Sequence, residues 1–201
     1  MNTKKSLRGY TRPMAVVAIM SALSIVLMMF EFSVPILPFF LKFDISDFPA
    51  LLTSFSIGPW AGVTVCLLKN LLHLFFSSTG GVGELANFII SAFFVFPAGL
   101  IYSFKRTKKG AVIGAFVGAV IAALISFPIN YFITYPFYAK IMGMDNIIVE
   151  YSKILPVVES LPTALVIFNI PLTFVKGLAC ILLTFFVYKP LSPILKGTAK
   201  K

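Results

Sequence analysis

The amino-acid sequence predicts an all-α integral membrane protein, and three observations support this. Mean hydropathy is +0.97. Only 12% of the 201 residues are charged, about half the fraction found in soluble domains. Apolar runs of helical length recur along the whole chain, which excludes a soluble fold with a single anchor. We expect residues 1–201 to form one compact membrane domain.

The positive charges set the expected topology. The net charge is +10, and most basic residues fall into three clusters between the apolar runs. If all three clusters are cytoplasmic, an even number of crossings separates each pair. Four crossings fit between the first two clusters and two fit after the second, which predicts six transmembrane helices with both termini cytoplasmic. The clusters are Lys4, Lys5, Arg8 and Arg12, then Lys105, Arg106, Lys108 and Lys109, and finally Lys189, Lys196, Lys200 and Lys201.

The same clusters bear on partners. No basic soluble domain is present to hold nucleic acid, so the expected partner of this charge is the lipid bilayer. Cys66 and Cys180 both lie in apolar runs, where cysteine usually acts as a small buried hydrophobe. We therefore expect no metal site.

The apolar runs predict helices at about 14–30, 44–57, 60–76, 84–104, 111–138 and 163–188. Pro13 suits the first turn of the first helix. The second helix is shorter than the ~20 residues needed to cross the hydrocarbon core, so it is either partial or tilted into a site. Residues 31–43 hold Pro35 and Pro38 and predict an irregular apolar loop. Residues 140–161 are more polar and predict an outer loop, with room for a short interfacial helix.

Polar side chains interrupt the apolar sequence between Lys69 and Phe88. This stretch carries His73, the only histidine of the chain. Lys69, Asn70 and His73 share one helical face. Two interpretations stay open: Lys69 pairs with a carboxylate such as Glu84 while His73 lies near an interface, or this face lines a ligand cavity.

A catalytic use of the stretch is disfavoured. Ser77 and Ser78 lie near His73, but no acid is evident to orient the imidazole. The glycines that follow lack the lysine and hydroxyl residue of a nucleotide-binding loop, so an ATP site is not expected.

A second group of polar residues lies deep in later helices. Asn130 is in the fifth predicted helix, and Asn169 and Lys176 are in the last. A lysine at membrane depth costs ~3 kcal/mol, so Lys176 requires a partner or a ligand. One asparagine alone would suit a hydrogen bond between helices, but this set, together with Asn87, favours a cavity. Amides among many aromatic rings suit a planar heterocycle.

Small residues on the first helix indicate a packing surface. Ala18 and Ala22 are four residues apart, a spacing that lets another helix approach closely. They are candidates for docking a partner helix, although alanine is also simply a good helix former.

Five segments, in order, carry a family resemblance over residues 10–190. They are LPFFLKFDISDFPALL, GPWAGVTVCLLKNLLH, TGGVGELANF, INYF and VKG. With them, the chain resembles the riboflavin-specific substrate-binding components (S components, the RibU family) of energy-coupling-factor (ECF) transporters.

This resemblance implies a fold, a ligand and partners. It implies a multi-pass protein of the cell membrane with six helices and a pocket open to the outside, which binds riboflavin as a transported ligand and needs no cofactor. It implies no ATPase of its own, but docking through Ala18 and Ala22 onto a transmembrane coupling protein with two cytoplasmic ATPases. Residues 31–43 would act as a lid. The implied pocket residues are Leu41, Asn130 and Lys176, followed by Glu84 and Asn87.

Three alternatives remain open from the sequence. Sister S components share the fold and bind other vitamins. A small membrane enzyme could use His73 and Glu84 on a lipid or prenyl group. A self-sufficient facilitator would move its substrate without partners.

Overall fold

The computed structural model describes residues 3–77 and 79–196, with side chains for 11–77 and 79–187. Ser78, Lys200 and Lys201 lie outside the described residues, as do the side chains of Lys4, Lys5, Arg8, Lys189 and Lys196. The helices are α1 (Thr3–Met29), α2 (Asp47–Ser56), α3 (Pro59–His73), α4 (Val82–Phe104), α5 (Lys108–Ile129), α6 (Tyr135–Met142), α7 (Met144–Ile154), α8 (Leu161–Ala164) and α9 (Ile170–Lys196). Strands β1 (Phe32–Ser33) and β2 (Lys42–Phe43) pair antiparallel.

The membrane character of the chain is evident in helix length. Within the described residues, five helices are long and apolar enough to cross a membrane. They cover Thr11–Met29, Pro59–Phe76, Val82–Phe104, Lys108–Met142 and Leu161–Val187. Short connections make α2 and α3, and likewise α4 and α5, antiparallel neighbours.

Helix α2 is only a partial helix. It has 10 residues and is about 15 Å long, half the ~30 Å hydrocarbon thickness. The helix predicted over 44–57 is thus too long at its start. Residues 44–46 instead form a turn, in which Ser46 N donates to Asp44 Oδ1 over 2.9 Å. Almost all of α2 is buried among its neighbours, which explains its apolar sequence.

Helix α1 begins at Thr3, so the predicted start at Met14 was wrong. Pro13 lies inside this helix rather than in its first turn. The residues before it are compatible with a helix, and membrane proteins tolerate proline within helices when nearby groups satisfy the freed carbonyl. Pro13 therefore does not mark the start of α1.

Two π-helical turns interrupt the later helices. One, Asn130–Thr134, joins α5 to α6, and the other, Leu165–Asn169, joins α8 to α9. Each is followed after one residue by a proline, Pro136 and Pro171 respectively. A proline ring clashes with the carbonyl four residues earlier and cannot donate to it, and a widened turn relieves this conflict. The predicted fifth helix thus continues from Lys108 to Met142 with one such turn in it.

Two described segments outside the long helices contain regular secondary structure. Residues 31–43, predicted to be an irregular loop, form the β1–β2 hairpin, whose connection holds hydrogen bonds from Leu37 N to Val34 O and from Leu41 N to Pro38 O, both 2.8 Å. Within 140–161, α7 is an amphipathic helix that buries Ile147 and Tyr151.

The α4–α5 pair packs through small residues. A Cβ at Gly118 would lie 2.2 Å from the carbonyl oxygen of Phe94. Main-chain atoms cannot rotate away as a side-chain end can, so glycine is required for the two helices to come this close.

We expect Gly118→Ala to lower the free energy of unfolding by about 2 kcal/mol. Overpacking against the α4 backbone exceeds the ~1 kcal/mol that alanine gains in helix propensity. Val112→Leu is the matched control, since it also adds one carbon to α5, at a side chain that is 47% exposed. Thermal unfolding in detergent measures both, and equal midpoints for the two variants would contradict the packing.

Candidate functional site

A cavity of about 400 Å³ opens among the ends of α1, α3 and α4, the β1–β2 hairpin, α6 and the first two turns of α9. This volume is within the usual range for small-molecule sites. All five residues predicted for the pocket line this cavity: Leu41, Glu84, Asn87, Asn130 and Lys176. They come from the hairpin, α4, the first π turn and α9, so the fold brings together positions far apart in sequence.

An ion pair forms the floor of the cavity. Lys176 Nζ donates to Asp44 Oδ2 over 2.6 Å, and both residues line the cavity. Lys176 therefore has the partner that its depth requires. Asp44 directly follows β2 and lies three residues before the start of α2, so the segment that joins the hairpin to α2 reaches α9 through this pair.

Lys69 lies next to this ion pair, behind the cavity surface. It is fully buried, and its ammonium donates to Ser46 Oγ over 2.7 Å and to Asp47 Oδ1 over 2.5 Å. The suggested pairing of Lys69 with Glu84 is thus wrong. Asp47 lies in the first turn of α2, next to Ser46, and its carboxylate is the one that contacts the Lys69 ammonium. Two lysines and two aspartates form one charge-balanced network, in which Lys69 and Asp44 are buried and Asp47 and Lys176 are partly buried.

The network also explains the ionisation of Asp44. Burial raises the pKa of its carboxyl, but the ammonium groups of Lys176 and Lys69 outweigh this effect and hold the pKa well below its usual range. Asp44 is therefore a carboxylate at any physiological pH.

His73 and Glu84 form one wall. His73 Nδ1 lies 2.9 Å from Glu84 Oε1. Glu84 Oε2 accepts hydrogen bonds from Ser77 Oγ at 2.8 Å and from Thr79 Oγ1 at 3.1 Å. The serine hydroxyl thus faces the carboxylate rather than the imidazole. Nucleophilic catalysis requires the hydroxyl to donate to the base, so this arrangement ties the α3–α4 turn together and does not activate Ser77.

Amide groups continue the wall. Asn87 Nδ2 donates to Asn70 Oδ1 over 3.2 Å, and Asn70 Nδ2 donates to the Cys66 carbonyl over 2.8 Å. Asn130 Nδ2 donates to the Ser126 carbonyl over 2.8 Å. These bonds fix the orientation of each amide, because an amide holds its oxygen and nitrogen on opposite sides.

A tyrosine cluster closes the opposite side. Tyr151 Oη donates to Asn169 Oδ1 over 2.9 Å, and Asn169 Nδ2 donates to Tyr135 Oη over 3.2 Å. Burial raises the pKa of the Tyr151 phenol, so it remains a hydrogen-bond donor. The ring of Phe40, from the hairpin, lies edge-on to Tyr135, Tyr138 and Tyr151 with centroids 5.6–6.3 Å apart. The hairpin is therefore held against α6 and α7 by aromatic contacts.

Sequence reasoning did not find Tyr135 or Tyr151 as parts of this site. Tyr135 follows directly after the first π turn, a position that the Pro136 signal could have indicated. Tyr151 lies on α7, outside every long helix, and nothing in its neighbourhood points to Asn169.

At the mouth, Glu31 and Lys42 form an ion pair across the base of the hairpin. Both line the cavity. Each carboxylate on the cavity surface thus has a side-chain partner within the described residues: Glu31 pairs with Lys42, Asp44 with Lys176, and Glu84 is hydrogen-bonded by His73, Ser77 and Thr79. A cavity of ion pairs, hydrogen-bonding groups and aromatic rings suits a polar ligand.

Comparisons with known proteins identify the family. The family model for the substrate-specific component of ECF transporters matches residues 12–188. The chain belongs to this family.

Relatives of this S component include named transporters. The riboflavin transporter RibU of Staphylococcus aureus is 32% identical over 197 residues, covering 98% of this chain and 99% of the relative. The riboflavin transporter FmnP of Bacillus subtilis is 29% identical over 185 residues, covering 90% and 93%. A solved S component of a bacterial ECF transporter superposes with a TM-score of 0.72 at 30% identity, covering 92% of this chain and 97% of that one. The S component described here is accordingly a multi-pass membrane protein.

The residues predicted to dock a partner lie apart from the cavity of this S component. Ala18 and Ala22 are exposed on α1, whereas Ser21 and Ser24 of the same helix are buried. The alanines therefore face outward from the bundle, on a surface whose small side chains permit close approach.

We expect Asp44→Asn to destabilise this S component by about 3 kcal/mol, because it leaves the largely desolvated Lys176 ammonium at the cavity floor without its counter-charge. Thermal unfolding measures the loss. Asp145→Asn removes an exposed carboxylate from α7 and should leave the midpoint unchanged. The double variant Asp44→Asn with Lys176→Met should recover much of the loss, and a double variant as unstable as the single one would contradict the pairing.

Proposed function

We propose that this chain is the riboflavin-binding S component of an ATP-driven ECF vitamin importer. The observation that carries the proposal is the convergence of Leu41, Glu84, Asn87, Asn130 and Lys176 on one cavity, in a chain that aligns along almost its entire length with riboflavin transporters.

Ligand contacts follow from the chemistry of the cavity. The isoalloxazine ring of riboflavin is planar, with hydrogen-bond acceptors and one donor along one edge. Lys176 and Asn130 provide donors for that edge. Phe40 and Tyr138 supply aromatic surface for the ring. The ribityl hydroxyls suit the polar wall around Glu84 and Asn87, where donors and acceptors alternate.

The hairpin acts as the lid of this site. It contributes Phe39, Phe40 and Leu41 to the cavity surface, and its Glu31–Lys42 ion pair lies at the mouth. Opening requires separation of Phe40 from the tyrosines of α6 and α7, and short-lived loss of such contacts is the ordinary motion of a lid.

The membrane topology completes the proposal. The basic cluster between α4 and α5 lies at the end of the bundle opposite the cavity, since α4 runs from the cavity wall at Glu84 to Phe104. With that cluster in the cytoplasm, the cavity faces outside and both termini are cytoplasmic. Helix α2 is then the sixth helix of a single domain, reaching from the cytoplasmic side to mid-depth.

Transport requires partners. We propose that Ala18 and Ala22 dock a transmembrane coupling protein that carries two cytoplasmic ATPases, and that the chain itself is neither an ATPase nor another enzyme. The arrangement of Ser77, Glu84 and His73 supports this, since the hydroxyl does not face the base. Riboflavin is cargo, and no cofactor or metal is needed.

We expect the purified protein to quench flavin fluorescence at micromolar riboflavin. Lys176→Met should weaken binding about tenfold or more, since hydrogen bonds from charged donors are worth ~1.5–3 kcal/mol. Lys105→Met is the matched control, because it removes an exposed lysine outside the cavity. Absence of quenching by the wild-type protein, with binding of a different vitamin instead, would reassign the ligand.

We expect Ala18→Leu with Ala22→Leu to leave riboflavin affinity unchanged and to abolish ATP-driven uptake into liposomes that contain the coupling protein and ATPases. Bulky side chains would hold the partner helix away from α1. Ile113→Phe, at another lipid-facing position (55% exposed), controls for added bulk. Uptake by the S component alone would favour a facilitator instead.

A further inference from the structure

Lys69 is the one fully buried lysine among the described side chains, and it does not line the cavity. The proposed riboflavin site assigns it no role. Its ammonium touches Asp47, which balances its charge, and also Ser46. The second contact has a consequence for the ligand site.

Ser46 connects Lys69 to the cavity floor. An ammonium has three N–H donors and no lone pair, so Lys69 can only donate to the serine oxygen. The single Ser46 hydroxyl proton is therefore free to point the other way, and Ser46 Oγ lies 2.5 Å from Asp44 Oδ1. Ser46 N donates to the same oxygen over 2.9 Å.

The two bonds to Oδ1 fix the Asp44 carboxylate in rotation. Its other oxygen, Oδ2, then faces Lys176 at 2.6 Å. Hydrogen bonds thus connect Lys69 through Ser46 to Asp44, which also accepts from Lys176 on its other oxygen. Lys69 sets the direction of the part from Lys69 to Asp44, where the two successive bonds polarise and strengthen one another.

We propose that Lys69 is a positioning residue for the ligand site, acting through Ser46 and Asp44 to hold the Lys176 ammonium at the cavity floor. This inference rests on the proposed function, since the cargo that Lys176 meets is riboflavin. Asp44 directly follows β2, so the same hydrogen bonds anchor the end of the lid hairpin. A purely structural Lys69 would instead serve only to neutralise Asp47.

Ser46→Ala separates these two roles. It keeps all four charges and the Lys69–Asp47 pair, and removes only the hydroxyl between Lys69 and Asp44. We expect riboflavin affinity to fall about tenfold with little change in thermal midpoint. We also expect the visible absorption band of bound riboflavin to move in the direction produced by Lys176→Met, because Lys176→Met removes the ammonium from the ring edge and Ser46→Ala lets it shift away.

A double-mutant cycle measures the connection. In a Lys176→Met background, Ser46→Ala should lower riboflavin affinity less than twofold, because the ammonium that Ser46 helps to position is already absent. Wild-type affinity of the Ser46→Ala protein would overturn the proposal, as would an undiminished penalty in the Lys176→Met background.

A second variant tests Lys69 itself. Lys69→Met with Asp47→Asn removes the ion pair as a unit, which avoids a lone buried charge. We expect this protein to fold and to bind riboflavin about tenfold more weakly, with the same spectral change. Lys105→Met with Asp145→Asn is the charge-matched control at exposed positions and should bind normally. A folded double variant with wild-type affinity would overturn the role of Lys69, whereas a wild-type protein that fails to bind riboflavin would overturn the proposed function instead.

Discussion

The presence of two ammonium groups inside the bundle, one fully buried and one at the cavity floor, is the constraint on which the rest of this structure depends. Lys69 and Lys176 stand on helices that cross the membrane, where an uncompensated charge is costly. Both are matched by carboxylates that lie within four residues of each other, Asp44 and Asp47, at the start of α2. The short helix α2 is thereby held between α3 and α9 at a fixed height, and the hairpin that precedes it is held with it. Buried ion pairs are weak contributors to net stability, but breaking one is costly. The network therefore specifies position more than it adds stability.

The polar groups of the cavity are supported by a second layer of hydrogen bonds. Asn87 is oriented by Asn70, Glu84 by Ser77 and Thr79, and Asn169 by Tyr151. Such support is what keeps a binding site in one geometry before the ligand arrives. Both π turns belong to this arrangement, since Asn130 begins the first and Asn169 ends the second. Irregular helical turns are frequent at functional sites because they redirect side chains without breaking the helix.

Much of this could be predicted from the sequence, and the residues show why some could not. Long apolar runs predicted the helices that cross the membrane. The free-energy cost of a lysine at membrane depth indicated that Lys176 needs a partner. The partner itself, Asp44, is 132 positions away, and no local pattern links the two. The same limit applies to Tyr151 and Asn169. The partner predicted for Lys69, Glu84, was wrong. Helical spacing shows which residues share a face of one helix, but it does not show which neighbouring helix packs against that face. Asn87, Asn130 and Lys176 were recognised as cavity residues from their polarity in apolar helices, whereas Leu41 was reached only through family resemblance, whose motifs carry long-range information that spacing lacks.

The brevity of α2 has a consequence for the shape of the protein. A helix of ordinary membrane length would fill the bundle from one surface to the other. Because α2 begins only at Asp47, beside the cavity floor, the space beyond its first residue is left for the hairpin and the cavity, with the charged turn at 44–47 as its base. The volume for the ligand thus comes from a missing half-helix, not from spreading the others apart. An insertion that gave α2 three more apolar turns would make the sequence look more like that of a membrane protein and would leave no room for cargo.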